Sequence, residues 1–168
     1  KLVASGQIGH EQQTVSFTLP AGPWSQLRLD PADRPGYLHL HRISLRDSAG
    51  QLCWQWSSAT EGLAALEAAP QQQMLLRPLW PAAPSALVLL YGEDPWIELP
   101  IEPALLAQAS AQGGAQLQVE LGWPMSADYL AMAGTLTPLT ERLDALEQRS
   151  TQAQQLQIDA AQLREHRV

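Results

Sequence analysis

Tryptophan side chains are the residues of this chain whose chemistry is easiest to interpret. The 168 residues include six tryptophans, and the flat face of an indole packs well against the apolar face of a pyranose sugar. Trp54 and Trp56 are two positions apart in an apolar stretch, so in a strand they share one face. We therefore treat Trp54, Trp56, Trp24 and Trp96 as candidate glycan-binding residues. The alternative is that these side chains fill the core, because tryptophan is highly buried on average.

Histidine and acidic side chains form a second set of candidates. His39 and His41 are also two apart and share a strand face, so we add them to the glycan-binding set. Such a pair binds zinc only with a third ligand, and no cysteine or further histidine is placed to supply one. Asp30 and Asp33 in one loop and residues 93–94 (ED) in another could hold calcium. Turn chemistry explains these acids equally well, and we expect neither a metal nor a cofactor.

Composition and motifs restrict the possible functions. The net charge of −7 argues against nucleic acid or an anionic membrane surface as a partner. The single cysteine, Cys53, excludes an internal disulfide, which is compatible with the cytoplasm. We find no nucleophile elbow, no Gly-rich nucleotide loop and no acidic metal motif, so we expect no enzyme activity.

The location of the protein follows from segments that we do not find. No apolar run approaches the roughly 18 residues of a membrane-spanning helix, and no signal peptide is visible. A sequence that starts at Lys1 is expected to be a trimmed piece of a longer chain. We expect a cytoplasmic protein, or one at the inner face of the membrane, without a transmembrane segment.

A long hairpin over residues 27–56 is the clearest structural pattern in the sequence. Apolar residues alternate with polar ones on both sides of the turn at residues 47–50 (DSAG). The alternation slips once, at His41 and Arg42, and a β-bulge there would return the later apolar residues to the same face. The hairpin is predicted to lie at the centre of an antiparallel sheet.

Shorter strands are predicted on either side of this hairpin. Alternating or continuous apolar runs occur at residues 15–19, 24–29, 73–79, 87–91, 96–100 and 117–121. A helical turn is expected at residues 103–111, and residues 61–69 form either a short helix or a long surface connection. Eight or nine short strands with regular turn signals are typical of a mainly β protein. We predict an antiparallel β-sandwich of the jelly-roll type over residues 1–124.

The last segment, residues 125–168, has a helical pattern with a break near Gly134. Thr137 and Pro138 resemble an N-cap and a first helical residue, and a coiled coil is predicted from about residue 137. The predicted seam contains Leu139, Leu143, Leu146, Ala153, Leu156, Ala160 and Leu163. We expect a parallel homo-oligomer, dimer or trimer, that overwinds between Ala153 and Leu156. The alternative is a single helix packed on its own sandwich.

Four segments resemble a known type of module. Residues 28–36 (RLDPADRPG), 40–45 (LHRISL), 93–100 (EDPWIELP) and 126–130 (SADYL) are similar to an accessory β-sandwich of bacterial glycosyltransferases and methyltransferases that assemble surface polysaccharides. The resemblance covers roughly residues 25 to 130.

This resemblance implies a function for the whole chain. It implies a non-catalytic, carbohydrate-binding-like module of a larger bacterial protein of O-antigen-type polysaccharide biosynthesis, with the catalytic domains of that parent chain as neighbours. The alternative is a structural module that spaces and assembles those domains through its coiled coil.

Overall fold

The structure is a computed structural model that describes residues 4–9, 12–78, 85–123 and 127–165. In chain order, its elements are β1 (Gln13–Thr18), β2 (Arg28–Leu29), β3 (Gly36–Arg46), β4 (Leu52–Ser57), α1 (Ala64–Glu67), β5 (Gln71–Gln72), β6 (Met74–Leu75), β7 (Leu87–Leu90), β8 (Trp96–Glu98), α2 (Pro103–Ser110), β9 (Gln116–Gly122) and α3 (Ala127–Glu165). The chain divides into two compact units, Lys1–Ala127 and Asp128–Val168. The first unit contains all the strands and the second nearly all of α3, and each is described by itself.

Two antiparallel sheets form the Lys1–Ala127 unit. The larger sheet has the order β1-β9-β3-β7-β6, and β4 pairs with β3 as a sixth strand. Strand β3 pairs with β9 along one edge, whereas its other edge pairs first with β7 and then with β4. The smaller sheet has the order β2-β8-β5. The expectation of a mainly β protein with a C-terminal helix is thus confirmed.

The predicted hairpin and its bulge are both present. Strands β3 and β4 pair from Arg42↔Ser57 to Arg46↔Leu52. Against β9, the register shifts between Leu40 and Arg42, so His41 is the extra residue on β3. Because of this shift, the apolar residues before and after the bulge face the same side of the sheet. These residues are Leu38, Leu40, Ile43 and Leu45, each 0 % exposed.

The two sheets share one hydrophobic core. Its buried side chains come from the larger sheet, as with Val119 at 1 % exposure, and from the smaller one, as with Ile97 at 0 %. Leu66 of α1 and Leu106 of α2 belong to the same cluster. Pro103 is at the start of α2, where its missing N–H costs no helical hydrogen bond. The arrangement is therefore sandwich-like, with the short helices contributing to the core.

The sequence prediction is wrong about the extent of two strands. Only Arg28–Leu29 forms a strand in the segment predicted at residues 24–29. Of the described residues in the segment predicted at 73–79, only Met74–Leu75 (β6) forms a strand, and it belongs to the larger sheet. The preceding β5 (Gln71–Gln72) belongs to the smaller sheet. Between them Gln73 has a φ of 57°, a left-handed conformation that ends β-pairing. Trp80, predicted to follow this strand, lies outside the described residues.

Helix α3 differs from the prediction at its start. The sequence predicts a break near Gly134 and a new helix at Pro138, but one helix runs through both residues. Pro138 has no N–H for the carbonyl four residues earlier, and a proline inside a helix costs about 3 kcal/mol. We attribute the continuity to the strong helix formers on both sides, mainly Ala, Leu, Gln and Glu.

No helix in the described part of the chain is long and apolar enough to cross a membrane.

Candidate functional site

A cleft of about 1320 Å³ opens in the Lys1–Ala127 unit. Its apolar lining includes residues of β1 and β9, such as Val15, Phe17 and Val119. The segment from Trp24 to Arg34 and strand β8 also contribute to the lining. The cleft therefore contains side chains of both sheets, and Trp24, Trp96 and Trp123 all line it.

Arg28 organises the polar side of the cleft. Its Nε donates to Asp30 Oδ1 at 2.6 Å, and its Nη2 donates to Asp30 Oδ2 at 2.8 Å and to Asp94 Oδ1 at 3.4 Å. The guanidinium carbon lies 5.1 Å from the centroid of the Trp96 ring, a cation–π distance. The hydrogen bonds to Asp30 raise the pKa of Arg28 above its ordinary value. Arg28 therefore stays charged and covers one face of Trp96.

Three of the four acidic residues considered as calcium ligands, Asp30, Asp33 and Asp94, contact arginines. Asp30 and Asp94 both contact Arg28, and the Asp33 carboxylate pairs with Arg34 at 2.8 Å. The hydrogen bond from Arg34 lowers the pKa of Asp33. Among the described residues, no group of three or more His, Cys, Asp or Glu side chains is arranged to hold a metal ion.

Trp24 and Trp123 are held by backbone contacts. The Trp24 indole N–H donates to the Pro20 carbonyl at 2.9 Å, and its backbone N–H donates to Ser110 Oγ at 3.2 Å. The Trp123 ring packs against Gly36, where a Cβ would lie 2.5 Å from Trp123 Cζ2. Both indoles are partly buried, so their rings have fixed positions and some accessible surface.

Trp54 and Trp56 lie elsewhere, on the core side of β4. Trp56 pairs with Ile43 and Trp54 with Leu45. Trp56 is only 3 % exposed, and its indole N–H donates to the Gly62 carbonyl at 3.0 Å. A buried ring has no free face for a sugar, so we do not retain Trp56 as a candidate. Trp54 is partly buried against the same core and does not line the cleft.

His39 and His41 lie on the opposite face of β3 from its buried leucines. Their ring centroids are 5.8 Å apart in an edge-to-face arrangement, as the shared strand face predicts. His39 is partly buried, and its Nε2 has no hydrogen-bond partner among the described residues. Burial, and secondarily the nearby His41, lowers the pKa of His39. Neither histidine lines the cleft.

A small polar groove of about 170 Å³ lies between side chains of β1, β3, β4 and β9. In this groove Arg42 Nη2 contacts Glu120 Oε2 at 2.9 Å. Ser44 is buried there at 4 % exposure. The groove is far smaller than the cleft, so we treat the cleft as the candidate site for a sugar chain.

Two residues of the cleft were missed as candidates by the sequence analysis. Trp123 continues the alternation of Leu117, Val119 and Leu121, which places it on the core-facing side of the sheet. No pattern in the sequence indicates Arg28 as a residue of the site, because its contact with Trp96 depends on the pairing of β2 with β8.

The predicted seam residues lie along α3. Those with described side chains are exposed: Leu139, Leu143, Leu146, Ala153 and Leu156. Ala160 and Leu163 are within the helix, but their side chains lie outside the described part of the structure. The helix also exposes Leu136 and Ile158.

Comparison with protein-family models, curated proteins and solved structures gave no match to this chain. The similarity to accessory sandwich modules therefore depends only on the four segments quoted above.

Proposed function

We propose that this chain is a non-catalytic, carbohydrate-binding module of a larger bacterial protein that assembles an O-antigen-type surface polysaccharide. The observation that carries the proposal is the cleft, in which three indoles lie beside charged side chains. Sugar sites combine an aromatic surface for the apolar face of the ring with polar groups for its hydroxyls. The parent protein would act in the cytoplasm or at the inner face of the membrane.

The dimensions of the cleft fit a chain of sugars better than a single one. Its volume of about 1320 Å³ exceeds the roughly 300–1,000 Å³ of sites for single small molecules. Trp96 lines the cleft and is only partly buried, so it keeps some accessible surface beside the Arg28 contact.

The charge of the cleft favours a neutral glycan. Two arginines and five carboxylates line it: Arg28, Arg34, Asp30, Asp33, Glu93, Asp94 and Glu98. Both arginines are already paired with aspartates. A uronic acid or a sugar phosphate would meet repulsion here, whereas a neutral sugar can donate its hydroxyls to the carboxylates.

The strand order supports the jelly-roll type that we propose for the sandwich. In a jelly roll the first strand pairs with the last, and the last also pairs with the third. Here β9 lies between β1 and β3, and β7 follows β3 in the same sheet. In the smaller sheet β8, the second-last strand, pairs with β2. The hairpin strand β4 is an addition to that order.

Binding to a panel of polysaccharides tests the proposal. We expect neutral polysaccharides to change the tryptophan fluorescence, and Trp96→Ala to weaken binding about tenfold or more. Tyr91→Ala is the matched control, because Tyr91 is an aromatic residue with 62 % exposure outside the cleft. If no polysaccharide of the panel changes the tryptophan fluorescence, or if both variants lose the same affinity, the cleft is rejected as a glycan site.

A second candidate function is structural, and the exposed leucines of α3 favour it. In this hypothesis the helix forms a coiled coil that joins copies of the chain and spaces the catalytic domains of the parent protein. Sedimentation of the full chain distinguishes the possibilities, because the structural role requires a homo-oligomer at micromolar concentration. The two functions are compatible if oligomerisation and glycan binding are both observed.

A further inference from the structure

In the N-terminal half of α3, the exposed leucines follow a regular repeat. Leu136, Leu139, Leu143 and Leu146 are between 51 % and 61 % exposed. Their spacings of three, four and three residues continue through Ser150 and Ala153. These are the alternating a and d positions of a coiled-coil heptad, with Leu136 at the first a position.

This repeat determines which side chains would border the seam. The g positions, just before each a position, hold Arg142 and Arg149. The e positions, just after each d position, hold Thr140, Glu147 and Gln154. No ion pair of the described residues involves α3, and Arg142 and Glu147 are five residues apart, a spacing that does not bring them together on one helix.

The direction of pairing decides whether these charges attract or repel. In a parallel pair, a g residue lies beside the e residue five positions later on the other chain. Arg142 then meets Glu147 of the second copy, and Arg149 meets Gln154. In an antiparallel pair g residues face g residues, so Arg142 would lie near Arg149. The charges are therefore complementary only in the parallel arrangement.

We propose that α3 forms a parallel, in-register pair with α3 of a second copy of this chain, bordered by Arg142–Glu147 ion pairs between the copies. The inference rests on the self-association proposed above and adds the ion pairs that set its direction and the number of strands. We commit to two strands because the apolar seam is narrow, confined to the a and d positions with polar residues at the e and g positions. The bordering residues are polar, as expected for positions that stay in contact with water.

Charge reversal in the full chain tests the direction. Arg142→Glu places two glutamates together in a parallel dimer and should raise the dimer dissociation constant about three- to tenfold. Arg142→Glu with Glu147→Arg should restore it. In an antiparallel dimer the single change would instead create attraction to Arg149 and lower the constant, which would overturn the inference.

Matched controls separate this effect from a general change in charge. Glu141→Arg alters the net charge as much as Glu147→Arg but lies on the outer side of the heptad, so only Glu147→Arg should weaken the dimer. Ser150→Cys in a Cys53→Ser chain should form a disulfide between copies, because equivalent a positions meet in a parallel dimer.

The possible outcomes distinguish this inference from the proposals above. A dimer with the expected variants supports it, and a trimer or an antiparallel dimer overturns it while leaving self-association intact. A monomer at high micromolar concentration rejects self-association altogether. None of these results bears on the affinity of a single cleft for a short glycan, which is measured separately.

Discussion

His39 is a titratable residue in a setting that penalises its charged form. It alternates with the buried Leu38 and Leu40, and its imidazole is partly buried on the other face of β3. Its Nε2 has no hydrogen-bond partner among the described residues, and protonation would add a charge close to His41. Burial first and His41 second therefore lower its pKa below the ordinary value.

The lowered pKa of His39 predicts a loss of stability in mild acid. Between the ordinary value near 6.5 and the lower folded value, the unfolded chain binds the proton more readily. The contribution of neutral His39 to the free energy of unfolding is thus fully present above about pH 6.5. It is lost as the pH falls from there through the lower folded pKa. His39→Gln should reduce the dependence of the urea midpoint on pH between about 7 and 5.

A variant of the neighbouring histidine provides the control. His41→Gln should retain most of the pH dependence, because burial is the larger cause of the shift and remains in place. An unchanged slope in His39→Gln would show that other groups determine the acid sensitivity.

The tryptophans show how far a residue type can be interpreted without the fold. The pattern of β4 correctly places Trp54 and Trp56 on one face but does not reveal that this face is the core. That information depends on which side the rest of the chain covers. Trp24 and Trp96 are 72 positions apart, and only the folded chain brings them to the same cleft. Single-residue signals therefore named two of the three indoles that line it.

At the scale of elements, the crossing between the two sheets depends on Gln73 and Gly92. Gln73 has a φ of 57°, and a non-glycine residue in this region is strained. Its Oε1 accepts the N–H of Asp94 at 2.9 Å, and its carbonyl accepts the N–H of Tyr91 at 3.0 Å. The Gln73 side chain thereby passes directly over Gly92, where any Cβ would overlap its amide group.

This contact predicts a coupled pair of substitutions. Gly92→Ala should destabilise the sandwich by about 1–3 kcal/mol, because the new methyl group displaces the Gln73 amide from its hydrogen bond. In a Gln73→Gly background the same substitution should cost under about 0.5 kcal/mol, since the obstructing side chain is gone. The measurement is urea unfolding of both single variants, the double variant and the parent chain. Additive losses would contradict the described contact.

Elements differ in how much local pattern determines them. The bulge at His41 was predictable, because a slip in the alternation has only one local remedy if both apolar pairs are to face the core. The assignment of β5 and β6 to different sheets was not, since it depends on the pairing of β5 with β8 and of β6 with β7. The break predicted near Gly134, with a new helix starting at Pro138, overestimated local signals, because one helix runs through both residues.

At the scale of the whole molecule, the proposed dimer would give each particle two glycan clefts. A polysaccharide repeats its sugar units, so once one cleft is occupied the second binding event becomes intramolecular. Linked sites can raise the overall affinity by a factor of about 10²–10⁴ without a new contact. A weak individual cleft would then be sufficient to retain a long polymer, whereas short oligosaccharides would exchange freely.

Separation of the copies should therefore weaken binding to a polymer but not to a short ligand. Replacing both Leu143 and Leu146 with Asp should give a folded monomer, because charged residues at adjacent a and d positions cannot be buried in a seam. Its affinity for a soluble oligosaccharide should equal that of the parent chain. On immobilised polysaccharide its apparent affinity should fall on the order of a hundredfold.

Gln148→Asp with Gln152→Asp is the control, because it adds the same charge to exposed positions away from the heptad seam and should leave both affinities unchanged. If the monomer binds polymer as tightly as the dimer does, self-association has no part in glycan retention, and the helix serves only to assemble the chain.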